Sequence, residues 1–433
     1  MKFFPRISLI VLLLCGFEIS ALDAPIRNIE DDSALRTSLK DEWFLESPSQ
    51  VLGRKKIFRV LPGGGKIEIR TEAGKTEFGV VLARERNGAY PGWAQGSWVL
   101  MRRKDTGQAV RIRLFLRSDP NVYAQFRPLS ADKSLLDVVV YDAYIMRSTP
   151  LPFSFDRLMV APIEEVLKSL GDKFPRKYFE PEPAFYRDSV DFAASVRAYL
   201  PELAFRDDGA IDQNGDYVFI ETLKKQTGEK GLNCSGFAKW VIDGLLKPVT
   251  GQRLDVAVLK KKFGDRGTSF SALYEDLRDP HFGLDWTRNL ASIANRTLLS
   301  ENFSKQDEFE VKRWTFQFVT GRVNNTRNTE SYPGFLSDAG FAFDGLHALM
   351  YTLAVMEPGR IYLAAVNREM GNPPLRQYFH VAVLAPYFNN VGNFTVTVFE
   401  SAAETSFAAF KTRYPKGCFV NIVRIPLNGK FEP

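Results

Sequence analysis

The chain has 433 residues, of which 45% are hydrophobic and 25% charged. That length exceeds one ordinary domain and suits two or three, and the composition excludes global disorder. With 57 basic and 51 acidic residues the net charge is only +6, and no dense Lys/Arg stripe points to nucleic acid as a partner. A mild basic bias is compatible with a cell-wall polymer or membrane surface, and equally with an ordinary solvated surface.

Residues 1–24 read as a secretory signal peptide. Lys2 and Arg6 precede an apolar run from Ile7 to Phe17, and the small residues Ser20, Ala21 and Ala24 follow. Cleavage after Ala21 or Ala24 gives an exported protein, periplasmic or in the cell envelope. Cys15 lies in Leu13-Leu14-Cys15-Gly16. A lipidated Cys follows a small residue, which Leu14 is not, so lipoprotein anchoring is the lesser alternative. The run is short for a bilayer span and no second long run exists. The mature chain keeps two cysteines, Cys234 and Cys418, fewer than a disulfide framework uses. A bridge between them would consume a thiol nucleophile.

Residues 25–150 read as a β-rich domain, a sandwich or a barrel. Lys66–Arg70 and Val110–Arg117 alternate apolar and polar residues. Phe78–Ala83, Ser97–Met101 and Leu135–Tyr144 are further strands. Turn signals separate them at Pro62–Gly65, Asn87-Gly88, Asp105–Gly107 and Ser118–Pro120. Pro62–Lys66 lacks the phosphate-loop pattern and is a hairpin turn. Tyr90, Trp93 and Trp98 crowd one loop, where core packing is the usual role and sugar stacking the alternative. Prolines 150, 152 and 162 mark a junction. Residues 151–184 then form a linker with a helix over 160–171, and Val190–Leu200 is a second helix. Asp212, Asn214 and Asp216 imitate the start of a calcium loop. Tyr217 takes the required Gly position and Leu223 the bidentate carboxylate position, so the segment is a solvated turn and no metal is expected.

Gly231-Leu232-Asn233-Cys234-Ser235-Gly236-Phe237 carries the chemistry. Phe237, Trp240, Val241, Leu245 and Leu246 follow Cys234 at helical spacing, and Pro248 ends the pattern. A thiol at a helix N-terminus gains thiolate character from the helix dipole. First-turn N–H groups can hold an oxyanion, and Gly236 leaves room for a substrate or a neighbouring strand. The base must be one of three histidines. His380 lies in the strand-like Gln377–Leu384, whereas His281 is in a Pro-bounded loop and His347 in Gly345–Leu349, both structural. A polar residue on the next strand, Phe394–Glu400, can orient the imidazole.

Asn233-Cys234-Ser235-Gly236-Phe237 resembles the Asp-Cys-Ser-Gly-Phe signature of NlpC-type peptidases, papain-like enzymes that cut peptidoglycan stem peptides. Glu357-Pro358-Gly359-Arg360 with Ile361–Leu363 resembles the family's Pro-Gly-Asp turn and strand, and Phe379–Leu384 its His strand. Phe399-Glu400-Ser401-Ala402 best matches the third strand. The resemblance covers roughly 185–430. It implies Cys234 as nucleophile, His380 as base and Glu400 as orienter, with Ser401 in reserve. Asn233, Ser235 and Gly236 would lie beside the oxyanion and substrate. Asn233 and Arg360 stand where the family has Asp. The stretch from Cys234 to His380 is longer than the family's, which makes about 250–345 an insertion, helical near Trp286–Leu299 and Glu310–Phe318.

The implied architecture is α+β. The β-rich domain precedes a papain-like NlpC-type domain over 185–433 with a helical insertion. The implied function is an exported cysteine hydrolase acting on an amide in peptidoglycan or a peptide-like substrate, without cofactor and without nucleic acid. Two alternatives stay open: a non-catalytic periplasmic or surface binding protein on the same fold, and a related amidase or acyltransferase on another substrate. Peripheral association with the envelope and the oligomeric state are left open too.

Overall fold

Why the chain folds into two sheets rather than two isolated domains is seen in where its apolar residues go. The computed structural model describes residues 23–264, 279–312, 319–322 (backbone only), 334–337 and 339–433. The apolar leader with Cys15, and the 313–318 part of the expected second insertion helix, lie outside the described residues.

The first sheet is an antiparallel meander: β1 (Ile57–Val60), β2 (Lys66–Ala73), β3 (Glu77–Arg84), β4 (Trp98–Arg103), β5 (Ala109–Leu114), β6 (Val122–Pro128), β7 (Ser134–Val140) and β8 (Ala143–Leu151). Alternation directs one face of it, including Ile67, Ile69, Val80, Leu82, Leu100 and Ile112, into the main core. The expected strand Leu135–Tyr144 is two strands. The run Val138–Tyr144 conceals a tight turn at Tyr141 (φ 45°) and Asp142 (φ 65°). The Tyr141 hydroxyl donates to Asp119 at 3.1 Å and its ring stacks on His347 at 3.7 Å, contacts that favour the unusual backbone. Pro150 does not interrupt the chain either, because it lies inside β8 opposite Leu135.

The expected linker over 151–184 is instead packed structure. The short helices Phe155–Leu158 and Ile163–Lys168 bury Phe155, Leu158, Ile163, Val166 and Leu167, and Phe174, Tyr178 and Phe179 follow them into the same core. That core also holds Phe237, Trp240, Trp286, Val381, Val383 and Phe399. One continuous apolar cluster therefore joins the β-rich region to the region around Cys234. Near the N-terminus, α1 (Ser33–Leu39) contributes Leu39 to this cluster.

Helix α2 (Arg187–Tyr199) covers the helix expected over 190–200. A small hairpin, β9 (Gly209–Ile211) with β10 (Tyr217–Phe219), follows. Its turn is the calcium-loop look-alike. Asp212 Oδ1 accepts from the backbone N–H groups of Asn214 (2.9 Å) and Asp216 (2.8 Å), and Lys225 pairs with Asp216 at 2.7 Å, so the carboxylates are already committed to the turn. Helix α3 (Cys234–Thr250) comes next. Pro248 does not end it. The proline lacks an N–H and leaves the Gly244 carbonyl free, and the Glu432 backbone N–H donates to that carbonyl at 2.8 Å. The helix stops at Gly251 (φ 73°), a left-handed C-cap.

The insertion is not purely helical. Helix α4 (Phe282–Leu298) matches the expectation near Trp286, and among the described residues near Glu310 the α-helical segment is Gln306–Phe309. Glu310 instead makes a strand bridge to Val423, and the Val311 N–H donates to the Ile422 carbonyl at 2.8 Å. Further on, β11 (Val319–Arg322) adds to the edge of the first sheet beside β8. The second sheet collects β12 (Phe335–Leu336), β13 (Gly340–Ala342), β14 (Arg360–Met370), β15 (Leu375–Phe388), β16 (Phe394–Glu400), β17 (Ala403–Ser406) and β18 (Phe419–Pro426), in the order 12-13-18-14-15-16-17. Residues from one of its faces join the main core. Those of the other, with Tyr362, Val366, Leu384 and Ile422, pack on α5 (Leu346–Met356) and on Phe410 of α6 (Phe407–Arg413).

Helix α3 carries a fully buried ion pair, Lys239 Nζ to Asp243 Oδ2 at 2.5 Å. Burial pushes the lysine down and the aspartate up, and their mutual attraction opposes both shifts. Asp243 Oδ1 also accepts the Leu254 N–H at 2.8 Å, which ties the start of the insertion to the helix. Asp243→Ala strands a buried ammonium and should cost about 3–5 kcal/mol, read as a lowered urea midpoint at unchanged slope.

Candidate active site

The Cys234 thiol is placed by a sequence of close backbone approaches. Gln226 grips Gly231 from both sides: its Oε1 accepts the Gly231 N–H at 3.0 Å and its Nε2 donates to the Gly231 carbonyl at 3.0 Å. The Asn233 N–H then donates to the Gly209 carbonyl at 3.0 Å. Asn233 is extended (φ −85°, ψ −173°) and its Oδ1 accepts the Gly236 N–H at 2.8 Å, an N-cap that starts α3 at Cys234. A Cβ on Gly236 would stand 1.9 Å from the Gly209 carbonyl oxygen. The sequence left Gly236 facing either a substrate or a strand, and β9 occupies the space.

The side chains flanking Cys234 are therefore structural. Asn233 uses its amide oxygen in the cap. Ser235 is buried, its carbonyl accepting Trp286 Nε1–H at 2.9 Å, and its hydroxyl lies 3.9 Å from Cys234 Sγ. Among the described residues, the backbone N–H groups of Cys234 and Ser235 have no protein acceptor. Such unpaired first-turn donors can accommodate a negatively charged group.

His380 arrives on β15. Val366 pairs with His380 and Asn367 with Tyr378, so Phe379 is an extra residue in the strand. Such a bulge bends a strand locally and re-aims the next side chain. Helix α4 packs beside it: the Tyr378 N–H donates to the Pro280 carbonyl at 2.8 Å, and a Cβ on Gly283 would come within 2.7 Å of the Tyr378 carbonyl. Glu400 ends β16, and its Oε2 lies 2.6 Å from His380 Nε2. With Nε2–H donated to Glu400, Nδ1 is the nitrogen left for the thiol, an assignment that follows from the hydrogen bond. Ser401, the reserve orienter, has φ 51° in the turn between β16 and β17.

The electrostatics follow. Burial pushes the Cys234 thiol up. Hydrogen bonding and charge from His380 more than offset this, helped by the Val381 N–H and the Ser235 hydroxyl, and the thiol ends below its ordinary value. Burial pushes His380 down, but the thiolate and Glu400 together raise it to about 9. Burial likewise favours the neutral form of Glu400, yet hydrogen bonds from His380, Arg413 and Thr405 hold it at about 2. The arrangement favours a thiolate–imidazolium pair at neutral pH. By contrast, burial drives His347 down to about 3 between Tyr141 and Phe407, and Cys418 is a free buried thiol pushed up by burial. Neither belongs to the site. Cys234 is also free. His281 precedes α4 with its ring 5.2 Å from that of Tyr378.

Three participants carried no sequence signal. Arg413 Nη2 lies 2.6 Å from Glu400 Oε1, Thr405 also bonds Glu400, and the Tyr414 ring lies 6.4 Å from His380. They belong to a short edge strand, a short helix and the residue after it, whose spacing resembles any surface segment. No group of His, Cys, Asp and Glu side chains suited to a metal occurs among the described residues.

A family model described as a domain of unknown function (DUF8515) matches residues 25–178. The match spans the first sheet through β8 and the packed segment after it, and stops short of Cys234. No curated protein matches the chain, and no solved structure does. Among the described residues no helix is long and apolar enough to cross a membrane.

Two measurements probe this geometry. Alkylation of Cys234 by iodoacetamide at pH 6.5 should be faster than that of an ordinary thiol, because the thiol is lowered. His380→Ala should slow it at least about tenfold at that pH, since the imidazolium no longer stabilises the thiolate; equal rates would contradict the pairing. Gly236→Ala should destabilise the fold by about 2–3 kcal/mol through its clash with Gly209, seen as a lowered melting temperature.

Proposed function

We propose that this protein is an exported cysteine hydrolase that cleaves an amide bond, with the stem peptides of peptidoglycan as its substrate class. The observation that carries the reading is the convergence of a lowered, helix-start thiol, a raised imidazole and an ionised carboxylate within one hydrogen-bonded series. In this reading the Cys234 thiolate attacks the amide carbonyl. The Cys234 and Ser235 N–H groups hold the developing oxyanion. His380, already protonated, gives its proton to the leaving amine and later takes one from the water that releases the acyl group. Glu400 keeps the ring oriented through both steps. Peptidoglycan as substrate rests on the resemblance of the Cys, turn and His segments to NlpC-type peptidases.

On this reading Cys234→Ala should lower muropeptide hydrolysis by at least about a thousandfold while leaving the melting temperature within a few degrees. Undiminished release of cleaved stem peptide, followed by mass spectrometry, would refute the assignment. The activity profile should fall on the alkaline side as His380 loses its proton near pH 9.

Export is part of the same proposal, and the first described residues favour one processing site. Asp23 pairs with Arg86 at 2.7 Å and accepts from the N–H and hydroxyl of Ser118 at 2.7 and 2.6 Å. Ala24 exchanges two hydrogen bonds with Gln95. Processing after Ala24 would remove all of these contacts, whereas processing after Ala21 keeps them. N-terminal sequencing of the exported protein should therefore begin at Leu22.

A further inference from the structure

The orienting carboxylate has two oxygens, and His380 uses only one. Oε2 faces His380 Nε2 at 2.6 Å, while Oε1 faces Arg413 Nη2 at 2.6 Å. Glu400 is only 4% exposed, so a second lone pair left without a donor there would be costly. Arg413 is the last residue of α6, and its guanidinium lies 5.9 Å from the Tyr414 ring, which itself faces His380. Helix α6 is in turn seated from the other side. Phe407 packs on His347 at 5.2 Å, and His347 stacks on Tyr141 in the β7–β8 turn of the first sheet. The element that delivers Arg413 is thus anchored against the β-rich region.

We propose that Arg413 is a positioning residue for the proposed hydrolase: by clamping Glu400 Oε1 it fixes the carboxylate that orients His380, and it moderates the negative charge that the imidazolium and the Cys234 thiolate experience. The proposal rests on the reading of the site given above. The charged and titratable groups that face Glu400 are His380 of β15, with Cys234 of α3 behind it, and Arg413 and Tyr414 at the end of α6; Thr405 of β17 adds a hydroxyl. Among these Arg413 is the fixed cation. Its loss leaves the carboxylate beside His380 with the Thr405 hydroxyl but without its cation. The imidazolium then holds its proton to higher pH, and the thiolate, next to a less compensated negative charge, is harder to form. The carboxylate also becomes free to rotate, which loosens the ring.

The test is the pH dependence of Cys234 alkylation in the full mature chain, with the labelled cysteine identified by mass spectrometry. Arg413→Gln should move the thiolate midpoint upward by about half a pH unit or more. It should lower kcat on muropeptide about tenfold with little change in KM. Arg413→Lys, which keeps the charge but loses the fork, should restore the midpoint and recover only part of kcat. In a Glu400→Gln background, Arg413→Gln should cost no further kcat, since no carboxylate remains to be fixed, and this comparison decides the matter if Arg413→Gln alone folds poorly. An unmoved midpoint in Arg413→Gln beside a depressed wild-type midpoint would overturn the proposal while leaving the activated thiol intact. An equal fall in kcat in both backgrounds would overturn it as well. A wild-type midpoint at the ordinary thiol value would overturn the underlying reading of the site.

Discussion

The close approach of Gly236 to the Gly209 carbonyl governs the geometry of the site. With no side chain at either position, the first turn of α3 rests directly on β9, and the Asn233 N–H reaches the same carbonyl. That contact sets the height at which the helix begins and therefore where the Cys234 sulfur sits. Phe237, Trp240, Val241, Leu245 and Leu246 then bury the rest of the helix, holding it by apolar area rather than by the cap alone. A helix start held this way can direct its unpaired N–H groups at one spot without drifting, which is what stabilising an oxyanion requires.

From that start a line of alternating charge runs through the structure: thiolate, imidazolium, carboxylate, guanidinium. Burial pushes each of the first three toward its neutral form. The opposite charge beside each pushes it back toward its charged form, with the two carboxylate contacts both at 2.6 Å. Here the neighbours outweigh desolvation, unlike in the Lys239–Asp243 pair, and the removal of any one member is felt by the others. His347, equally buried but stacked on Tyr141 without an anionic neighbour, shows the opposite outcome and is held neutral.

The long segment between Cys234 and His380 is a structural bridge. Trp286 of α4 donates to the Ser235 carbonyl, Gly283 packs on the strand just before His380, and Glu310 and Val311 bond the β18 backbone. Asn421 and Arg288 meet on the Glu310 carboxylate. The same segment adds β11 to the first sheet. One core then runs across regions that a linear reading separates, and the packed stretch 155–179 is part of it.

The sequence by itself determined the local elements and the chemical identity of the site. Period-two alternation marked most of the first sheet, helical spacing after Cys234 marked α3, and the order of the Cys, turn, His and Glu segments singled out the three side chains that the fold brings together. These are legible because periodicity and residue type act over a few positions. Only the tertiary structure decided the rest. It showed Leu135–Tyr144 to be two strands, because contacts to Asp119 and His347 favour positive φ at Tyr141. It placed Pro150 within a strand and packed 155–179 into the core. It committed Asn233, Ser235 and Gly236 to cap, packing and backbone contact, and it brought Arg413 onto Glu400. Each of those outcomes depends on a partner far away in the chain, and no local pattern encodes which distant group will satisfy a carbonyl, fill a gap or balance a charge.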